Sequence, residues 1–82
     1  MKKLNENEIL DKVIYYLEEY AAGQYGVLEY YQYNNLIGAI SDLRDYRAGY
    51  IKHFNDMRTD ARCYYTDVCY ILEIEEMDPI EF

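Results

Sequence analysis

Residues 36–57 read LIGAISDLRDYRAGYIKHFNDM and hold the clearest repeating pattern in the chain. Apolar side chains recur there every three or four residues and fall within about 140° of a helical wheel. They are Leu36, Ala39, Ile40, Leu43, Tyr46, Tyr50, Ile51, Phe54 and Met57. The stretch predicts one amphipathic helix about 33 Å long, with Asn34 or Asn35 as its N-cap and a kink near Gly49.

A second amphipathic helix is predicted near the start of the chain. Asn5 precedes Glu8 by three residues, which is the spacing of a capping box, and Gly23 is a natural helix stop. One face of this helix gathers the apolar side chains of Ile9, Leu10, Val13, Ile14, Leu17, Tyr20 and Ala21. We therefore expect that face to pack against residues 36–57.

Two stretches are compatible with either helix or strand. Residues 27–33 have no clear period, whereas residues 67–75 alternate as a strand would but also continue a helical face that starts near residue 60. Helix is favoured because few turn residues occur between Asn34 and Pro79, and a sheet needs reversals. The predicted fold is a mainly α bundle of three to four helices in one domain, residues 1–82. The alternative is an α+β fold with short strands near 27–33 and 67–75.

Composition narrows the class of partner and the compartment. The 82 residues carry 16 acidic and 8 basic side chains, a formal charge of -8, so binding to nucleic acid or to an anionic membrane is not expected. Polar residues 5–8 do not suit a signal peptide, and no apolar run reaches the roughly 20 residues of a membrane span. Cys63 and Cys69 are spaced too widely to bridge in a helix or strand, which predicts free thiols and a cytoplasmic location.

The negative charge is concentrated toward the end of the chain. Residues 44–62 have a net charge of +2, whereas residues 63–82 have a net charge of -6 with no basic residue. The C-terminal carboxylates include Glu73, Glu75, Glu76 and Asp78. We expect them to form a patch that attracts a basic partner, and a merely solubilising acidic tail is the alternative.

Tyrosine is the second compositional excess, with 12 residues against two phenylalanines and no tryptophan. Four tyrosines lie on the apolar faces and are expected at the core or its boundary: Tyr20, Tyr46, Tyr50 and Tyr64. Five do not fit those faces, so some of them are expected to be exposed: Tyr15, Tyr30, Tyr31, Tyr33 and Tyr70. Tyr15 lies close to Glu18 and Glu19, a combination that suits arginine-rich partners, although tyrosine from a biased genome at the core boundary explains the excess equally.

Residue types that carry chemistry are scarce. The chain has one histidine, one serine and no glycine-rich phosphate loop, so we expect no catalytic site and no cofactor. His53, Cys63 and Cys69 lack a fourth ligand and the close cysteine spacing of a zinc module, so no metal site is expected. His53 is interpreted as a residue at the edge of the core.

The short chain, its charge of -8, Tyr15 among acidic residues and the carboxylates from Glu73 to Glu81 together resemble small anti-defence proteins of phages and mobile elements. These are anti-CRISPR inhibitors and DNA-mimic antirestriction proteins. The resemblance implies a non-enzymatic inhibitor, located in the cytoplasm of the bacterial host, that occludes the basic nucleic-acid-binding surface of a CRISPR-Cas or restriction complex. The basic segment from Arg44 to Arg62 favours a local acidic patch over mimicry by the whole surface.

The candidate partner-binding residues are Tyr15, Glu18, Glu19, Tyr70, Glu73, Glu75, Glu76 and Asp78. Two other functions fit the same composition. One is an immunity or antitoxin protein that neutralises a cationic toxin, and the other is a structural homodimer that pairs through residues 36–57.

Overall fold

The computed structural model describes residues 4–74, which form three α-helices and one short 3-10 helix. The helices are α1 (Glu6–Gln24), α2 (Tyr30–Ala48) and α3 (Thr59–Ile71), and the 3-10 helix Phe54–Asp56 lies between α2 and α3. Each α-helix packs against the other two. The predicted helical bundle is confirmed, and the α+β alternative is wrong for the described residues because none of them forms a strand. None of the helices in this part of the chain is long and apolar enough to cross a membrane.

The capping box predicted for α1 is confirmed. The side-chain oxygen of Asn5 accepts a hydrogen bond from the Glu8 N–H at 2.8 Å, and the Glu8 carboxylate accepts one from the Asn5 N–H at 3.1 Å. The sequence predicts that the helix stops at Gly23, but it continues to Gln24. The left-handed residue of the following turn is Gly26, with a φ of 81°. Tyr25 to Glu29 then lead into α2.

The single helix predicted over residues 36–57 is wrong at both ends. α2 begins at Tyr30, so Asn34 and Asn35 lie inside it rather than capping it. It ends at Ala48, where Gly49 takes a left-handed φ of 92° and donates its N–H to the Tyr46 carbonyl at 3.2 Å. The predicted kink near Gly49 is therefore a complete helix end.

The link after Gly49 returns two predicted core residues to the interior without continuing α2. Phe54 is 9% exposed and Met57 is 2% exposed. The Phe54 ring makes edge-to-face contacts with Tyr46 and Tyr65, with ring centroids 5.9 Å and 5.2 Å apart. Tyr50, in contrast, is 82% exposed, so its predicted place in the core or at its boundary is wrong.

The core consists of apolar side chains from all three helices and the 54–57 link. Its α-helical members are Ile9, Leu10, Val13, Ile14, Leu17, Ala21, Leu36, Ala39, Ile40, Leu43, Ala61, Tyr65, Val68 and Cys69. Burial of each large aliphatic side chain contributes about 1.5–3 kcal/mol, so this shared interior holds the helices together. The apolar face of α2 is thus covered within the chain, which removes the surface that the homodimer interpretation needed.

Polar contacts fix α1 against α2 at the edge of the core. The Tyr46 hydroxyl donates a hydrogen bond to the Glu6 carboxylate at 2.7 Å. Burial, with the hydrogen bond and the charge of Glu6 adding to it, raises the pKa of Tyr46 to about 12. The hydroxyl therefore keeps its proton, and remains a donor, across the physiological pH range. Nearby, Arg47 Nε lies 3.0 Å from an oxygen of Asp11.

A single carboxylate holds the beginning of α3 against α2. Asp42 Oδ2 accepts one hydrogen bond from the backbone N–H of Arg58 and another from its Nε, both at 2.9 Å. One turn earlier on α2, Gly38 has no side chain, and a β-carbon there would collide with the Arg58 guanidinium. Because Arg58 is the N-cap of α3, this anchor sets where the third helix starts.

α3 runs from Thr59 to Ile71, so the helix favoured for residues 67–75 is confirmed as far as Ile71. Its end repeats the hydrogen bonding found at the end of α2: the Glu73 N–H donates to the Tyr70 carbonyl at 3.2 Å, and the Ile74 N–H donates to the Cys69 carbonyl at 2.9 Å. In this Schellman motif the left-handed residue is Glu73, with a φ of 55°, where glycine is usual. α3 therefore ends with a conformational cost that α2 avoids.

Asp42→Ala is expected to lower the free energy of unfolding by about 2 kcal/mol, because two hydrogen bonds to a charged carboxylate are lost. The Asp42 side chain is only 14% exposed, so water replaces little of that interaction. Urea denaturation measures the change. Ser41→Ala, an exposed position on the same helix, is the control and should stay within about 0.5 kcal/mol of the natural protein. Equal stability of the two variants would contradict the anchor.

Substitutions at the left-handed residues that end α2 and α3 should change the free energy of unfolding in opposite directions. Glu73→Gly is expected to raise the free energy of unfolding by about 1 kcal/mol, because glycine adopts the left-handed backbone conformation without the steric cost that a β-carbon adds. Gly49→Ala is expected to lower it by about 1 kcal/mol for the same reason. Thermal unfolding of both variants measures the two effects. A Glu73→Gly protein that melts below the natural one would show that this carboxylate stabilises the fold.

Candidate protein-binding surface

A groove lined by aromatic side chains runs between α1 and α3. Its first part, of about 490 Å³, is lined by Lys12, Tyr15, Tyr16, Glu19, Leu72 and Ile74. A narrower part of about 200 Å³ is lined by Tyr16, Leu17, Tyr20, Tyr64, Asp67, Val68 and Ile71. Because the two parts share Tyr16, they form one continuous surface.

The groove widens at its other end into a hollow of about 370 Å³. This hollow is lined by Tyr20, Leu28, Gln32, Asn35, Asp60, Cys63, Tyr64 and Asp67. It shares Tyr20, Tyr64 and Asp67 with the narrow part. We call the whole groove, from Lys12 to Asp60, the α1–α3 face.

Two candidate binding residues lie together on this face. Tyr15 is 65% exposed and lines the same part of the groove as Glu19, one helical turn later on α1. Leu72 and Ile74, which flank Glu73 in sequence, line that part from the other side. The region around Tyr15 and the end of α3 are far apart in the sequence. The structure brings them next to each other.

Other candidate residues lie elsewhere. Glu18 forms an ion pair with Arg44 of α2, so it is directed toward α2 instead of the α1–α3 face. Tyr70 is 85% exposed but is not among the residues that line the groove. The predicted positions Glu75, Glu76 and Asp78 lie outside the described residues.

Sequence reasoning missed the acidic flank of α3. Asp60, Tyr64 and Asp67 follow one another at spacings of four and three residues, so they lie along one side of the helix. Tyr64 is half-buried as expected, whereas Tyr20, placed with it at the core boundary, is 40% exposed across the groove. The spacing of the three α3 residues would have revealed this flank once the helix was certain.

The pKa of Tyr64 reflects the groups that surround its hydroxyl in the hollow. Burial raises the pKa of the Tyr64 hydroxyl, and the nearby Tyr20, Asp60 and Asp67 raise it further because each disfavours a second negative charge. Tyr64 therefore keeps its proton and can donate a hydrogen bond. The aromatic ring and both carboxylates line the same hollow.

All four arginines lie in the described part of the chain, and each is engaged within it. Three form ion pairs: Arg44 with Glu18, Arg47 with Asp11 and Arg58 with Asp42. The fourth, Arg62, donates from Nε to the Met57 carbonyl at 3.2 Å and from Nη2 to the Thr59 hydroxyl at 3.2 Å. None of these guanidinium groups pairs with Glu19, Asp60 or Asp67. The negative charge of the α1–α3 face is therefore left uncompensated by arginine.

The remaining candidate chemistry gives no sign of a metal site. Cys63 is exposed at the hollow and Cys69 is buried, and neither forms a disulfide, as predicted. Within residues 4–74, no group of histidine, cysteine and acidic side chains is arranged to hold a metal ion. His53, expected at the edge of the core, is exposed.

The other predicted tyrosines divide between the surface and the core boundary. Tyr30 and Tyr31 are 82% and 63% exposed, as their position off the apolar faces indicated. Tyr33 is half-buried and makes an edge-to-face contact with Tyr25, with ring centroids 5.5 Å apart.

The chain was compared with protein-family models, with curated proteins and with solved structures, and none of them matches. A function for the α1–α3 face must therefore be inferred from its own residues.

Replacing both carboxylates of the hollow should lower the pKa of Tyr64. In the Asp60→Asn/Asp67→Asn variant we expect that pKa to move toward the ordinary tyrosine value of about 10 without reaching it, because burial remains. NMR titration of the tyrosine rings measures the shift. Asp56→Asn, an exposed position outside the groove, is the control and should leave Tyr64 unchanged. An unchanged pKa in the double variant would place the carboxylates too far from the hydroxyl to act with it.

Proposed function

We propose that this protein is a non-catalytic inhibitor, encoded by a phage or another mobile element, that binds a basic surface of a bacterial defence complex. The α1–α3 face is the binding surface. It occludes the site at which a CRISPR-Cas or restriction complex receives nucleic acid, and its carboxylates occupy the positions of phosphates.

The separation of charges is the observation that carries this proposal. The chain has a net charge of -8, yet its arginines are held in contacts at α1, α2 and the link before α3. Glu19, Asp60 and Asp67 are exposed along the α1–α3 face. A partner with basic side chains gains attraction along this face without competing for carboxylates that are already paired.

Aromatic side chains supply the contact area that charge alone does not. Tyr15 and Tyr20 are exposed on the face, and Ile71 and Leu72 are 55% and 37% exposed beside them. Tyrosine gives a large, stiff contact surface at a low entropic cost, which is why it is common in protein interfaces. Exposed apolar area next to carboxylates fits a protein partner better than a small metabolite.

A basic nucleic-acid channel satisfies both features. Such channels are rich in lysine and arginine, which pair with carboxylates as they do with phosphates. The bound inhibitor then competes with the nucleic acid for the same cations, so inhibition weakens as salt or nucleic acid is raised.

The test measures competition in a defined system. A panel of purified CRISPR-Cas effectors and restriction enzymes is titrated with the protein, and binding of labelled target DNA is followed by fluorescence anisotropy. We expect DNA binding to be lost in at least one member of the panel. We expect Glu19→Lys to weaken that inhibition about tenfold at low salt and less at high salt, because a like charge then faces the partner.

Asp56→Lys is the matched control, since it changes the charge equally at an exposed position outside the groove. It should inhibit almost as well as the natural protein. Equal losses in Glu19→Lys and Asp56→Lys would attribute the effect to net charge and reject the α1–α3 face. A panel with no inhibited member, together with rescue of cells from a cationic toxin, would replace the proposal with the immunity-protein alternative.

A further inference from the structure

We propose that the hollow between Asp60 and Asp67 binds an arginine side chain of the protein partner. This inference rests on the proposed function, because it names the group by which the basic partner is held at the wide end of the α1–α3 face. We call this part of the face the Asp60–Asp67 hollow.

The hollow has three walls of different chemistry. α3 contributes Asp60, Tyr64 and Asp67, α1 contributes the Tyr20 ring, and α2 contributes the amides of Gln32 and Asn35. Its volume of about 370 Å³ falls within the usual range of ligand-binding clefts, about 300–1,000 Å³. One long side chain and its surrounding water therefore fit.

The spacing on α3 suits a planar cation. Asp60 and Asp67 are seven residues apart, which separates their Cα atoms by about 10 Å along the helix axis. Tyr64 lies between them, so a group at the centre of the hollow has an aromatic ring beside it and a carboxylate on either side. A guanidinium group can stack on such a ring while it donates hydrogen bonds to the carboxylates.

Arginine suits this geometry better than lysine. The guanidinium group has five N–H donors in one plane and a weakly hydrated face, whereas the lysine ammonium is a compact and strongly hydrated charge. The amide oxygen of Asn35 adds an acceptor on the third wall, whereas that of Gln32 already accepts a hydrogen bond from the Glu29 N–H at 3.1 Å. A lysine ammonium is also attracted to an aromatic ring, but it has no flat face to stack on the ring and no fork of donors for two carboxylates.

None of the four arginines of the chain supplies the cation. The arginine nearest in sequence, Arg62, lies between the two carboxylates on α3 but donates to Met57 and Thr59 instead. The other three arginines pair with Glu18, Asp11 and Asp42. A phosphate would be repelled by the same carboxylates, which leaves a basic protein segment as the occupant that complements the charge.

Two short peptides with blocked ends test this inference. One alternates arginine with glycine, and the other has lysine in place of each arginine. Isothermal titration calorimetry at low salt should show about tenfold tighter binding of the arginine peptide, the difference expected when stacking and bidentate hydrogen bonds are added to charge. The ring signals of Tyr20 and Tyr64 should shift in NMR spectra on addition of the arginine peptide.

The Asp60→Asn/Asp67→Asn variant should lose the preference for arginine, whereas the Asp56→Asn control should keep it. Both replaced carboxylates are exposed, and an unchanged thermal unfolding curve confirms that the variant is folded. Equal affinity for the two peptides, or a preference that survives in the double variant, would overturn the inference.

This test is independent of the inhibition assay. If the peptides are not distinguished while DNA binding by a defence complex is still inhibited, the hollow fails and the proposed function stands. If arginine is preferred but no defence complex is inhibited, the hollow stands and its partner belongs to another class of basic protein.

Discussion

The arrangement of the α1–α3 face depends on one half-buried carboxylate between α2 and the start of α3. Asp42 accepts hydrogen bonds from both the backbone and the side chain of Arg58, so the N-cap of α3 has a fixed position against α2. Gly38 leaves the space that the Arg58 guanidinium occupies. The anchor fixes where α3 starts, and the burial of Tyr65 and Val68 fixes which side of the helix is turned to the core. The direction of the Asp60, Tyr64 and Asp67 side chains follows from the two together.

The exposed ion pairs of this protein contribute little to its stability. They matter mainly because they determine which carboxylates are left without an arginine partner. Exposed pairs such as Arg47 with Asp11 each contribute about 0.2–1 kcal/mol. Their positions also matter for the surface charge, because each arginine is neutralised where it lies and offsets none of the carboxylates of the α1–α3 face. The apolar core supplies the stability, and the paired arginines leave one face acidic.

Local signals in the sequence are sufficient to predict the elements that are defined by contacts between residues close in sequence. The capping box of α1 joins residues three apart, and the helical periods of α1 and α3 lie within single elements, so these predictions are confirmed. The helix predicted over residues 36–57 failed because its apolar period continues past Ala48 by coincidence. Phe54 and Met57 reach the core through a folded link, and a wheel does not distinguish that path from a continuous helix.

The site was partly predictable for the same reason. Tyr15 and Glu19 are one turn apart on a helix that was recognised, so their shared surface was found. The pairing of Glu18 with Arg44 joins residues 26 positions apart, and only the packing of α1 against α2 brings them together. Asp60 and Asp67 were overlooked because residues 67–75 also fitted a strand, in which that helical spacing has no meaning.

The exposed tyrosines of the α1–α3 face also have an optical consequence. The chain contains no tryptophan, so its ultraviolet emission comes from tyrosine alone. A partner that docks on Tyr15 and Tyr20 brings any indole at its own surface within range of those rings. Excitation energy then passes from tyrosine to the partner's tryptophan, and tyrosine emission falls as the complex forms. The residues that give this surface its contact area thus make the unlabelled protein a fluorescent reporter of its own binding.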